Sequence, residues 1–218
     1  MGFFSQCDQD RFLETQVFQG YKDGIFCDIG AHDGITINNT LYFEKEHNWT
    51  GINVEPIKKV YDQLVTNRPR CININCAVSN NNGMAQFLQT EGYTEMLSGL
   101  KNEYDPRHMN RLINEIMSHG GSMSSIMVET RRLETIFDQH DVKKINYLSI
   151  DVEGAESEVI RSINFDKVFI DVIGFENNYR DISQPIVKYL ESHNYQIIDW
   201  YNQSDIFMIH RDSMFFKD

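Results

Sequence analysis

The sequence predicts an α/β fold: a mostly parallel sheet, seven strands in all, closed by a terminal antiparallel hairpin. Three observations carry this. Apolar runs at residues 25–27, 51–54, 145–150 and 168–173 end on or near acids, at Asp28, Glu55, Asp151 and Glu176. Segments of helical period separate them, and such alternation means a parallel sheet with helices on its faces. The last two runs, residues 195–201 and 205–210, are joined only by the short turn 202–204, so they should pair as a hairpin.

Residues 5–21 read as a helix with Phe12, Leu13, Val17 and Phe18 on its apolar stripe. After the first strand, residues 36–46 should form a helix, capped by Asp33 or Thr36. Residues 49–55 are the second strand, and residues 56–67 a helix with Pro56 in its first turn. Residues 71–78 form a third strand, followed by an Asn- and Gly-dense turn. The rhythm then breaks. Residues 84–88 and 125–130 look like short strands, and between them lie a Met-rich helix at 107–118 and the pair Gly120-Gly121. Helices at 132–140, 156–163 and 183–193 complete the set, the last with Pro185 in its first turn. The expected organisation is one domain, with a core of residues 22–88 and 125–212 and an insertion, 89–124, that acts as a lid or partner-binding element.

With 218 residues, 41% hydrophobic and 24% charged, the chain has an ordinary globular composition. Its net charge of −12 argues against a nucleic-acid surface, which favours clustered Lys and Arg. No apolar run reaches the roughly 20 residues that span a bilayer. The opening Met1-Gly-Phe-Phe-Ser-Gln-Cys7 lacks a basic stretch followed by a long apolar one, so a cytoplasmic location is expected. Cys7, Cys27, Cys71 and Cys76 form no C-x-x-C pair and read as reduced thiols.

The stretch F-C-D-I-G-A-H-D-G, residues 26–34, supplies strand, glycine turn and acids together. Gly30 and Gly34 have neither the third glycine of a dinucleotide loop nor the Lys of a P-loop, so a diphosphate is poorly served. The acid-flanked D-x-G-x-x-x-G suits a cation without phosphate, a description S-adenosylmethionine fits. Glu55 ends the second strand, about where a Rossmann-like fold holds ribose hydroxyls. Ser5, Gln6, Gln9 and Asp10 could reach a ligand from the first helix.

Three segments in order, F-C-D-I-G-A-H-D-G with W-T-G-I-N-V-E-P, then N-C-A-V-S-N, then L-S-I-D-V-E-G-A-E-S-E-V-I, resemble the FkbM-type S-adenosylmethionine-dependent methyltransferases. The opening S-Q-C-D-Q-D and the Asn39-Thr40 pair resemble a subgroup of them. The resemblance implies a class I methyltransferase Rossmann-like fold and methyl transfer to a hydroxyl, often of a sugar or polyketide. By the same resemblance Asp28, Gly30 and Gly34 line the methionine part of the cofactor, Glu55 holds the ribose, and Ala77 and Val78 lie against adenine. Asp10, His32, Asn39, Thr40 and Asp151 complete the implied set. His32 stands where many members carry Asn.

An aliphatic alcohol is a poor nucleophile, so such a reaction needs a base or a metal. Asp151, Glu153, Glu156 and Glu176 should converge on one edge of the sheet. Asp151 or Glu153 then acts as general base, with Glu176 beside it, or Asp151 and Glu176, with Asn177, hold Mg²⁺ or Mn²⁺. Glu156 equally suits helix capping. A sugar, glycan or small hydroxylated metabolite is the expected acceptor. A non-catalytic cofactor-binding module is the rival reading, and an NAD-dependent oxidoreductase is disfavoured by the missing glycine.

Overall fold

The computed structural model describes residues 2–199 and 204–217. Its main sheet has seven strands in the order β10-β11-β9-β8-β1-β2-β3. In chain order these are β1 Ile25–Ile29, β2 Thr50–Val54, β3 Ile72–Ile74, β8 Lys144–Ile150, β9 Phe169–Glu176, β10 Tyr195–Asp199 and β11 Asp205–His210. The strands from β3 to β9 run parallel, while β11 pairs antiparallel with both β9 and β10. The expected hairpin is therefore present. Most of its connecting turn, 202–203, lies outside the described residues.

Alternation along the central strands explains how both faces are covered. On β1, Phe26 joins an aromatic cluster on one face, while Cys27 and Ile29 join an aliphatic cluster on the other. The aliphatic face is covered by α5 (Leu133–Gln139), α6 (Glu156–Arg161) and α7 (Arg180–Glu191), through Ile136, Val159, Ile186 and Leu190. The aromatic face is covered by the N-terminal helix and by Phe43 of α2. There Phe18 meets Phe43, Trp49 and Phe215 edge-on, with centroids 4.9 to 5.4 Å apart. Such pairs add about 0.5–1.5 kcal/mol each beyond burial.

Five readings of the sequence need correction. The single strand expected at 71–78 is two: β3 stays in the main sheet, and β4, Ala77–Val78, leaves it. Asn75 turns the chain between them, its Nδ2 donating to the carbonyls of Glu55 (2.8 Å) and Pro56 (3.0 Å). Second, residues 84–88 and 125–130 are not short strands. They are parts of β5 (Gly83–Glu91) and β7 (Ser122–Arg131), which pair antiparallel and, with β4 and β6 (Gly99–Leu100), form a four-stranded second sheet.

Third, the helix expected at 36–46 begins only at Leu41, as α2 (Leu41–His47). Asp33 Oδ1 accepts from the N–H groups of Ile35 and Thr36, and Asn38 Oδ1 from those of Thr40 and Leu41. Side chains that take up backbone donors in this way favour turns over helix. Fourth, Pro185 lies inside α7, because that helix begins at Arg180. The N-terminal helix is also shorter than expected, an α-helical Gln9–Phe12 running into a π-helical Leu13–Phe18.

Within 89–124, a 3₁₀ helix (Gly92–Leu97), β6 and α4 (Pro106–His119) follow one another. Asp105 caps α4 by accepting from Arg107 N, with Pro106 at its first position. Among the described residues no helix is long and apolar enough to cross a membrane. All four cysteines are free.

Candidate active site

A cavity of about 190 Å³ opens at the carboxyl ends of β1, β2, β8 and β9, where open α/β sheets place ligands. Its walls include Asp28, Gly30, His32, Asn39, Glu55, Ala77, Val78, Asp151, Glu153 and Glu176. Residues far apart in sequence thus meet at one place, because parallel strands end on the same edge.

Gly30 is fixed by close approach. Its φ is +87°, and a Cβ there would lie 1.9 Å from the Asp151 carbonyl oxygen. The neighbouring strands lock this turn: Gly30 and Ala31 N–H donate to Val54 O, and Asp151 N–H to Ile29 O. Asp28 lies within β1 rather than at its end, and its Oδ2 accepts from Asn38 Nδ2 and Thr40 Oγ1, each at 2.9 Å. Burial raises the Asp28 pKa, against the pull of Arg68, Thr40 and Asn38. Glu55 accepts from Ile57 N–H at 2.7 Å, and burial lifts its pKa to about 7. Asn39 donates to Ser149 Oγ at 3.2 Å and leaves its Oδ1 buried without a partner. His32, at φ +50°, occupies a backbone region that favours Asn over most residues, and neither ring nitrogen has a hydrogen-bond partner.

Opposite these lie three carboxylates. One oxygen each from Asp151, Glu153 and Glu176 falls within 4.8 Å of the other two. Asp151 keeps open surface, but that surface faces the cavity, so protein still displaces solvent around it and its pKa rises to about 6, with Asp28 adding repulsion. Glu153 and Glu176 are pushed well upward, first by burial and then by the charges of their neighbours. Glu153 also sits at φ +56°, a strained conformation for a residue with a Cβ. Asp205 of β11 stands opposite Glu176, with its pKa raised to about 7 by burial and by Asp151.

Several sequence-derived candidates lie elsewhere. Asp10 is fully buried off the cavity, accepting from the N–H groups of Phe4, Ser5 and Arg11 and from Ser5 Oγ. Its neighbour Gln9 reaches the wall instead and donates to Asp205 at 2.9 Å. Gly34 packs against Leu64 and Arg68, each 2.6 Å from where its Cβ would be. Thr40 is buried behind Asp28. Asn177 is not among the residues lining the cavity, and its Oδ1 accepts from Ser183 Oγ at 2.6 Å, while Glu153 joins Asp151 and Glu176 in the carboxylate trio. Glu156 caps its own turn, accepting from Gly154 N–H at 3.0 Å.

Sequence reasoning missed Arg68, which is fully buried and ion-paired to Glu44. Its guanidinium donates to Gly34 O (3.1 Å), Asn38 Oδ1 (3.0 Å) and Thr40 Oγ1 (3.1 Å), tying the glycine loop to the support of Asp28. In the sequence it sits in an R-P-R run that resembles solvated surface charge. The cavity contributions of the 89–124 segment, among them Glu95, Met96 and Arg111, were also unassigned.

Two solved structures share this architecture. The chain resembles a methyltransferase FkbM from Methylobacillus flagellatus at TM-score 0.52 and 13% identity, covering 86% of this chain and 44% of that one. This chain thus spans less than half of that protein's length. It resembles fibrillarin from Aeropyrum pernix, in complex with natively bound S-adenosyl-L-methionine, at TM-score 0.52 and 12% identity, covering 94% and 74%. At such identities the likeness establishes the class I methyltransferase-like fold alone. No curated protein sequence matches the chain. The Methyltransferase FkbM domain, however, matches residues 28–197, most of the chain and nearly all of the wall described above, so this protein belongs to the FkbM methyltransferase family.

Proposed function

We propose that this protein is an S-adenosylmethionine-dependent O-methyltransferase acting on a hydroxyl of a sugar, a glycan or a small hydroxylated metabolite. One observation carries the reading: Asp28, Glu55 and Asp151 line a single cavity around a glycine turn that admits no side chain. An acid-walled pocket suits a donor with sulfonium and ammonium charges and no phosphate. Asn39 Oδ1, unpartnered on the wall, is an acceptor suited to an ammonium group, and Glu55 suits a pair of ribose hydroxyls. Bound S-adenosylmethionine supplies an electrophilic methyl carbon whose bond to sulfur breaks as the bond to the acceptor oxygen forms, the electron pair leaving on a neutral thioether.

The protein has two tasks beyond binding. It must hold the acceptor oxygen in line, and it must take the hydroxyl proton. Asp151 and Glu153 stand on the wall as bases with upward-shifted pKa values, which suit proton acceptance near neutrality. Alternatively, the same carboxylates would hold Mg²⁺ or Mn²⁺, which would supply Lewis acidity to the hydroxyl. The net charge of −12 supports a sugar or small-molecule acceptor over a nucleic acid.

The test is calorimetry with S-adenosylmethionine, followed by a methyl-release assay over a panel of hydroxylated acceptors comparing wild type with Asp151→Ala. Binding with turnover that the substitution removes is the expected result. Binding without turnover on any acceptor would favour the non-catalytic module, and absence of binding would overturn both.

A further inference from the structure

Like-charged side chains gathered in a poorly solvated place need an offsetting charge, a proton or bound water. Asp151, Glu153 and Glu176 each place an oxygen within 4.8 Å of the others, from three different segments of the chain. Two of those carboxylates are unsatisfied among the described residues: Glu153 Oε2 and Glu176 Oε2 are buried with no hydrogen-bond partner there. A separate element points the same way. His108 of α4, only 2% exposed, aims an unpartnered Nε2 at Glu153 Oε2 from 3.3 Å.

The protein's own cations offset this only in part. Arg111, the arginine on the cavity wall, acts on Glu153 and Glu176 through its charge, yet its hydrogen bond goes to Glu115 at 2.8 Å. Among the described residues, no lysine or arginine forms an ion pair with the three carboxylates; His108 alone comes within ion-pair range. The His108 ring also bonds to the Leu97 carbonyl. A proton shared by Glu153 and His108 would satisfy that pair yet leave Glu176 Oε2 without a partner.

We propose that Asp151, Glu153 and Glu176 form a binding site for a hard divalent cation of the Mg²⁺ or Mn²⁺ class, beside the position of the acceptor hydroxyl. The donor set is all carboxylate oxygen, which selects hard cations over zinc or copper. Oxygens bound to one ion lie at most twice the bond length apart, ~4.2 Å for Mg²⁺ and ~4.6–5.2 Å for Ca²⁺. The observed spacing reaches above the first of these limits, so closing on Mg²⁺ or Mn²⁺ requires the three side chains to move inward. His108 then acts on Glu153 from outside the ligand set, which gives the 89–124 segment a part in ordering the site. When bound, the ion lowers the pKa of a hydroxyl beside it. The inference rests on the methyl-transfer reading of this cavity.

The experiment is Mn²⁺ titration of the full chain, followed by electron paramagnetic resonance of free Mn²⁺ and competed with Mg²⁺, with S-adenosylmethionine calorimetry in parallel. Wild type should take up stoichiometric Mn²⁺. Glu153→Gln and Glu176→Gln should each weaken uptake by more than about tenfold, and His108→Leu by about 10- to 100-fold. The Glu→Gln changes remove repulsion and keep shape, and retained S-adenosylmethionine binding confirms that those variants are folded. Two results would overturn the proposal: no Mn²⁺ uptake by wild type with or without S-adenosylmethionine, or uptake unchanged in both glutamine variants. Donor binding without Mn²⁺ uptake would remove the metal site alone, whereas failure of donor binding would remove the methyl-transfer reading.

Discussion

The two acid groups of the cavity are built in opposite ways. On the β1–β2 side, each carboxylate is held: Asp28 accepts from Asn38 and Thr40, and Glu55 from Ile57 N–H, with Arg68 buried behind them. On the β8–β9 side, Glu153 and Glu176 carry buried oxygens without partners, and Glu153 is strained as well. The first group is pre-organised, so a ligand arriving there finds its partners already placed. The second is left incomplete, and an incomplete polar group in a folded protein marks the place where a ligand, proton or ion finishes the structure. Under the proposed function, recognition of the donor falls to one wall and chemistry to the other.

The largest expected effect breaks the chemical wall. Asp151→Ala should lower methyl release by about 10²–10⁴-fold while changing S-adenosylmethionine affinity far less. A similar loss of both would mean that the two walls do not divide the labour. Next comes the organised wall. Arg68→Met leaves Glu44 buried without its cation, a loss of about 3–5 kcal/mol. For a chain of this size that corresponds to a fall in Tm of about 6–20 °C. Glu176→Gln should instead leave Tm unchanged or raise it, because it removes a charge from a repulsive cluster. Thermal unfolding of the two variants side by side measures the contrast directly.

A smaller, pH-dependent effect follows from the raised carboxyls. Glu55, Glu156 and Asp205 titrate near about 7 in the folded protein and Asp151 near about 6, all above their ordinary values. Between the ordinary carboxyl range and pH ~7, the folded state therefore binds more protons than the unfolded one, and stability from these groups falls as pH rises. The carboxylates with lowered pKa values, such as Asp105 and Asp181, act only below the ordinary range and do not oppose this trend. Tm without ligand should be lower at pH ~8 than at pH ~5.5, and Mn²⁺ should recover the difference at the higher pH. Smallest of all, Asn177→Ala should cost about 0.5–1.5 kcal/mol for its bond with Ser183, without altering Mn²⁺ uptake.

The parallel core was legible because its strands are apolar runs that end on acids, a local pattern. The second sheet was not. Residues 71–78 read as one run, and only long-range pairing of Ala77 with Thr130 separates β4 from β3. The late start of α2 escaped because Asp33, which suits a helix cap, here holds a turn through the N–H groups of Ile35 and Thr36. Asp28, Glu55, Asp151 and Glu176 could be read as site residues because strand order fixes where strand ends meet. Arg68 could not, since burial of a charged side chain depends on what packs over it.

The central claim, that this cavity receives a sulfonium donor, is tested most directly by calorimetry of the purified chain with S-adenosylmethionine and, separately, with NADH. Stoichiometric S-adenosylmethionine binding that weakens in Glu55→Gln, with no heat from NADH, is the expected result. Tight NADH binding with no response to S-adenosylmethionine would contradict it.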